Sequence, residues 1–147
     1  MSDAMTCRHC AAATPEDQEH YHLQVSRQRI IWPPAEGVGV PTIDIVGVVE
    51  VIADFCSENC AGMGAHDFLA GLGAKPTWSD VRPVEACSAC GEDIETAMPH
   101  LAVEMLCEIG PFMAGEIVDA QYPARFCRDC DPSRVQPYMQ TYAGEAK

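Results

Sequence analysis

Cys87-Ser88-Ala89-Cys90-Gly91 and, after an acidic and apolar middle, Phe126-Cys127-Arg128-Asp129-Cys130 place two C-x2-C hooks in one short segment. Tetrahedral zinc is commonly gripped by four thiolates from two such hooks, brought together across an intervening fold. An earlier copy precedes them. Cys7-Arg8-His9-Cys10 and Phe55-Cys56-Ser57-Glu58-Asn59-Cys60 repeat the order of hook, middle and hook, with the second hook stretched by one residue. Eight of the nine cysteines are thereby assigned to two four-cysteine sets, which predict two structural zinc ions per chain.

The middles correspond as well. His22-Leu23-Gln24-Val25 follows the first hook of copy one, and His100-Leu101-Ala102-Val103 follows the first hook of copy two. Each copy then passes through a Pro/Gly turn into a second β-like run that ends in Phe-Cys. The matches recur at roughly 75 residues, a spacing that points to duplication of one supersecondary unit. The chain divides accordingly into a first module over 1–72, a link over 73–84 and a second module over 85–147.

In the first copy Tyr21, Leu23 and Val25 alternate with His22, Gln24 and Ser26, the period-two pattern of a half-buried strand. Trp32-Pro33-Pro34 through Pro41 cannot hold a ladder, because proline lacks the donor and glycine weakens a strand. A second strand runs from Thr42 to Phe55, with Asp44, Glu50 and Asp54 on the face opposite Ile43, Ile45 and Val51. Ala61, Ala65, Phe68, Leu69 and Leu72 then recur at helical spacing, and Gly71 and Gly73 supply a stop. Copy two follows the same plan. Leu101, Val103, Met105, Cys107 and Ile109 share one strand face and Glu104 and Glu108 the other, 110–115 turns, 116–126 returns, and 133–142 forms a short helix. Trp78 suggests that the link packs on something.

Knuckle, hairpin, hook and helix succeed one another in each half, an order that resembles the treble-clef zinc finger and covers nearly the whole chain. In that fold a knuckle gives two ligands and the helix start gives the other two. The resemblance implies ligands at Cys7, Cys10, Cys56 and Cys60 and at Cys87, Cys90, Cys127 and Cys130, and Phe55-Cys56-Ser57 is similar to the Phe-Cys-Ser entry of several such fingers. The hairpins exceed the usual compact finger, which keeps a plain zinc ribbon as the rival description. The fold class is a small zinc-stapled α+β protein of two tandem treble-clef-like modules.

Several function classes are disfavoured. The net charge of −13 is shared between the halves, −7 over 1–72 and −6 over 73–147, and eight thiolates with two Zn2+ take it to −17. No Lys or Arg occurs from Ile30 to Ala74 or from Gly91 to Ala124, so the basic stripe that direct binding of nucleic acid needs is missing. No apolar run reaches the length of a membrane span. The polar start Met1-Ser2-Asp3-Ala4 reads as no signal peptide, which favours the cytoplasm and zinc over disulfides. Closed four-thiolate sets leave no coordination position for catalysis, and no phosphate loop or Ser/His/Asp constellation is present.

The remaining side chains divide between a bland role and a sharper one. His9 is an alternative ligand within a set already complete, His22 and His100 occupy matched positions that suit an orienting or surface role, and His20 and His66 read as solvated. Cys107 reads as a small core residue. Loop residues Trp32, Val38, Val40, Phe112 and Met113 either cap the module cores or form the apolar centre of an interface with a protein partner. The acids Asp44, Glu50, Asp54, Glu104 and Glu108 supply the second reading: an acidic surface that mimics nucleic acid towards a basic cleft of a partner, as phage or plasmid inhibitors of host defence, including anti-CRISPR proteins, do. A thiol- or zinc-dependent enzyme is the third.

Overall fold

Among the described residues nine elements follow in order: β1 (Met5–Thr6), β2 (Ala13–Thr14), β3 (Glu19–Ile31), β4 (Thr42–Phe55), α1 (Glu58–Gly71), β5 (Val84–Ala86), β6 (Asp93–Glu95), β7 (His100–Ile109) and β8 (Glu116–Phe126). The structure, a computed structural model, describes residues 5–14, 18–33, 39–78, 82–110, 115–127 and 129–130. The helix expected over 133–142, and the loop residues Val38, Phe112 and Met113, lie outside these described residues.

Each half contributes a long antiparallel hairpin, β3–β4 and β7–β8, as the two alternating runs predict. The hairpins do not form separate sheets. They join edge to edge into one four-stranded sheet of order β4-β3-β7-β8, because β3 also pairs antiparallel with β7. That ladder runs from Glu19 opposite Ile109 to Gln28 opposite His100 without a register shift. On the match of His22-Leu23-Gln24-Val25 with His100-Leu101-Ala102-Val103, Val25 lies opposite its own counterpart Val103. The outer ladders are less regular, with bulges at Leu23/Gln24 and Ser26/Gln28 against β4 and at Val103/Met105 and Cys107/Glu108 against β8.

One face of this sheet is apolar. Leu23, Val25, Val103, Met105, Phe55 and Phe126 are buried there with Ala61, Ala65, Phe68 and Leu69 of α1, and fully buried side chains of this size contribute about 1.5–3 kcal/mol each. Ser57 caps α1 by accepting from Cys60 N–H at 3.2 Å, and Ala74 N–H closes the far end on Leu69 O at 2.9 Å. Gly64 sits where α1 crosses the hairpin, and a Cβ added there would run into the Phe55 ring. Gly64→Ala is therefore expected to lower stability by about 1–3 kcal/mol despite the better helix propensity of alanine, read as a fall in the urea midpoint at unchanged zinc content. An unchanged or raised midpoint would refute the close crossing.

The opposite face is polar, and it too is inside. His20, His22, Gln24, Ser26 and Gln28 of β3 lie with Glu104, Glu108 and His100 of β7, and all eight are buried. This corrects two expectations and narrows a third. Glu104 and Glu108 are not surface acids and His20 is not solvated, while of the orienting or surface role open to His22 and His100, burial removes the surface one. The physical reason is that β3 and β7 are the two central strands, covered on both faces, so alternation separates two interiors here rather than an interior from water.

The link is anchored where it is described. Thr77 N–H and Trp78 N–H donate to Pro123 O at 2.8 and 3.2 Å, and Lys75 N–H donates to Ser88 O at 3.3 Å. No helix among the described residues is long and apolar enough to cross a membrane.

Candidate metal centres

Each first hook lies at the tip of a two-stranded ribbon, β1–β2 around Cys7 and Cys10 and β5–β6 around Cys87 and Cys90. The same turn is built twice. Cys7 N–H donates to Ala12 O at 2.9 Å and Ala11 N–H to Cys7 O at 2.9 Å, while Cys87 N–H donates to Glu92 O at 2.8 Å and Gly91 N–H to Cys87 O at 2.9 Å. Ala11 and Gly91 hold the left-handed conformation that closes the turn, with φ of 64° and 79°. Glycine takes that conformation freely, whereas alanine pays for it with its Cβ.

The second hooks arrive at the ends of the return strands. Cys56 follows β4 and Cys60 lies in the first turn of α1, where Ser57 favours its thiolate but burial and the neighbouring Cys7 and Cys10 thiols outweigh it and hold its pKa above 9. Cys127 follows β8, and Cys130 N–H donates to Cys127 O at 3.1 Å. Cys7, Cys10, Cys56 and Cys60 converge in one cluster and Cys87, Cys90, Cys127 and Cys130 in the other, with all ligating atoms of a cluster within 4.8 Å of one another.

The spacing fits zinc. Cys10 Sγ is 3.5 Å from Cys56 Sγ, Cys56 Sγ is 3.9 Å from Cys60 Sγ, and Cys90 Sγ is 3.5 Å from Cys127 Sγ. Sulfurs on a tetrahedral zinc at about 2.3 Å stand about 3.8 Å apart. The two groups are positioned to bind two zinc ions. Cys7 and Cys87 lie innermost, and although burial opposes their ionisation, backbone amides outweigh it and pull both thiols down to about 7. Cys56 is pushed up to about 12 by burial and by the neighbouring thiols. Cys7 and Cys87 are thus the thiols readiest to meet a metal, and binding removes the other protons.

Two polar clusters occupy the other face. In the first, Glu104 Oε1 accepts from Ser26 Oγ–H at 2.8 Å and from Gln28 Nε2–H at 3.1 Å, and Gln28 Oε1 accepts from Arg125 Nη1–H at 3.0 Å. Arg125 is fully buried, stacks over the Tyr122 ring at 4.7 Å and donates to His100 Nε2 at 2.7 Å. His100 Nδ1–H donates to Met98 O at 2.9 Å. Burial and the Arg125 charge both hold the His100 pKa below 6.5, consistent with a neutral ring that accepts from the guanidinium. The second cluster joins His20, His22 and Glu108. Burial opposes charge on His22, but Asp54 and Glu108 outweigh it and hold its pKa above 6.5.

These buried networks escaped the reading of the sequence. The signal available was His20-x-His22, two imidazoles on one strand face. Their carboxylate stands 86 and 88 residues away and meets them only through the β3–β7 register.

The remaining sequence-predicted positions scatter. Val40 is 79% exposed, and Trp32 is half-buried. Asp44 is bridged to Arg29 at 2.9 Å, Asp54 Oδ1 is 2.7 Å from His22 Nδ1, and the Glu50 side chain lies outside the described residues. Cys107 lies on the apolar face opposite Tyr21, and His66 is exposed. No family model, curated protein or solved structure matches the chain.

Proposed function

We propose that the chain is a non-enzymatic, cytoplasmic interaction protein, two treble-clef-like modules whose zinc ions are structural, and that it binds a protein partner through the apolar surface near the tip of the β3–β4 hairpin. The observation that carries this reading is the pair of closed four-cysteine clusters. Four thiolates fill a tetrahedral zinc, which leaves no position for a reacting water. Stapling of this kind suits a small protein that spends surface on recognition rather than on core.

The hairpin supplies the surface. Ile31, Val40, Ile45 and Val46 are exposed on or beside the part of β3 and β4 that flanks the connecting loop. Ile45 lies on the Gln28 face and Ile31 on the other, and exposed apolar side chains at one end of a hairpin suit a partner that grips that end. The nucleic-acid-mimic alternative is weaker. Two of its five acids are interior, Asp54 is engaged by His22 and Asp44 by Arg29, so it rests on net charge.

Affinity capture from the source cell with the wild type, Val40→Asp and Ile45→Asp is the test. Loss of the same captured protein from both variants, at two zinc ions per chain, supports the hairpin surface. Full capture by both removes it, and capture that instead collapses with added salt returns the argument to the acids.

A further inference from the structure

His20 Nε2 lies 3.1 Å and His22 Nε2 2.6 Å from the same oxygen, Glu108 Oε1. The three side chains are 0%, 0% and 1% exposed, and the two rings meet edge to face with centroids 4.9 Å apart. The other ring nitrogens also face acceptors: His20 Nδ1 is 3.0 Å from Gln18 O and His22 Nδ1 is 2.7 Å from Asp54 Oδ1.

A neutral imidazole carries one N–H. Four ring nitrogens facing oxygen atoms therefore need protons beyond the two that neutral rings hold, drawn either from imidazolium formation or from protonated Glu108 and Asp54 carboxyls inside the fold. A cation where the two Nε2 atoms and Oε1 converge removes the shortfall. Each ring then keeps its N–H on Nδ1, aimed at Gln18 O or Asp54 Oδ1, and turns the Nε2 lone pair inward. A ligand imidazole backed by a carbonyl or carboxylate is the usual surrounding of a bound metal. Gly115 N–H donates to Glu108 Oε2 at 2.9 Å, which occupies the outer oxygen and leaves Oε1 towards the rings.

The arrangement is not imposed by the repeated plan of the fold. The 78-residue shift that carries His22 onto His100 carries His20 onto Met98 and brings Ile30 into the place of Glu108. That counterpart holds no imidazole–carboxylate trio, and its histidine serves Arg125 instead.

We propose that His20, His22 and Glu108 form a third metal site, which takes one divalent transition ion of the class that imidazole and carboxylate hold together, zinc or ferrous iron. His20 and His22 come from β3 and Glu108 from β7, and all three are closed off from substrate, so the ion is a structural cross-link between the two halves at their shared ladder, in keeping with the non-enzymatic reading. Ligand atoms on a tetrahedral zinc stand about 3.4 Å apart, so the Glu108 carboxylate withdraws by about 1 Å or less on loading.

Full-length protein loaded with Zn2+, or with Fe2+ under anaerobic conditions, and freed of loose metal is expected to hold three ions per chain. His20→Ala and Glu108→Gln are expected to hold two. Loading with Co2+ identifies which ion is lost, since cobalt at the cysteine sites gives thiolate charge-transfer absorption and cobalt at the third site does not. The wild type is expected to show cobalt in excess of the thiolate-bound fraction, and imidazole nitrogen spectra of the zinc form are expected to show both rings protonated at Nδ1 alone. A wild type that saturates at two thiolate-bound ions per chain with Zn2+, Fe2+ and Co2+ overturns the site, and the ring spectra then show whether imidazolium or a protonated carboxyl holds the network together. The wild-type count and spectra decide without the variants, so a misfolded variant hides nothing.

Discussion

Serine at Cys87 or Cys127 is expected to remove one of the two cysteine-bound zinc ions and to unfold the whole sheet, not only the second half, and with the sheet goes any ion held across the β3–β7 ladder. Zinc in a four-cysteine site contributes an apparent 10–16 kcal/mol in small zinc-folded peptides, about the stability range of an entire domain, roughly 5–15 kcal/mol. Cys87 is buried in the core and its Sγ accepts from Cys127 N–H at 3.4 Å, so the site is continuous with the packing beneath β7 and β8. β7 is in turn hydrogen-bonded along its length to β3. Loosening β7 strips β3 of one neighbour and exposes Leu23 and Val25, which pack against Met105 and Val103. Metal analysis should show one cysteine-bound zinc, and amide exchange should show β3 losing protection with β7. Protection of β3 at its wild-type level while β7 exchanges freely would mean that the halves fold independently.

How far the sequence reveals this arrangement depends on which interactions are local. The hooks are local, and the C-x2-C spacing suffices to place Cys7 with Cys10 and Cys87 with Cys90. The strand and helix periods are local too, so β4 from Thr42 to Phe55 and the buried stripe Ala61, Ala65, Phe68 and Leu69 are legible. What no period carries is the pairing of one copy with the other. A repeat states that two units are alike, not whether they stand apart or zip together. Once β3 and β7 become central strands, alternation still assigns His22, Gln24 and Ser26 to one face but no longer says that this face meets water. Glu104 illustrates the consequence: its donors Ser26 and Gln28 stand 78 and 76 residues away, and only the register brings them together.

Glu104→Lys is expected to unfold the protein or to depress its midpoint severely. The carboxylate is buried, and a lysine in its place leaves Ser26 Oγ–H and Gln28 Nε2–H without their acceptor and sets a second cation near the fully buried Arg125. Burying a charge without a counter-charge, here the lysine's own, costs about 3–5 kcal/mol, and each orphaned donor about 1–3 kcal/mol more. Glu104→Gln keeps the shape and an acceptor oxygen but not the charge, and is expected to lie between that and the wild type. Asp44→Lys is the comparison at the surface. The Asp44–Arg29 bridge is 38% and 48% exposed, and such bridges are worth about 1 kcal/mol or less. Urea midpoints should therefore fall in the order Asp44→Lys, Glu104→Gln, Glu104→Lys, with zinc content followed in parallel. A Glu104→Lys protein that keeps the wild-type midpoint and both cysteine-bound zinc ions would place Glu104 in solvent, and with it would return the continuous acidic face on which nucleic-acid mimicry depends.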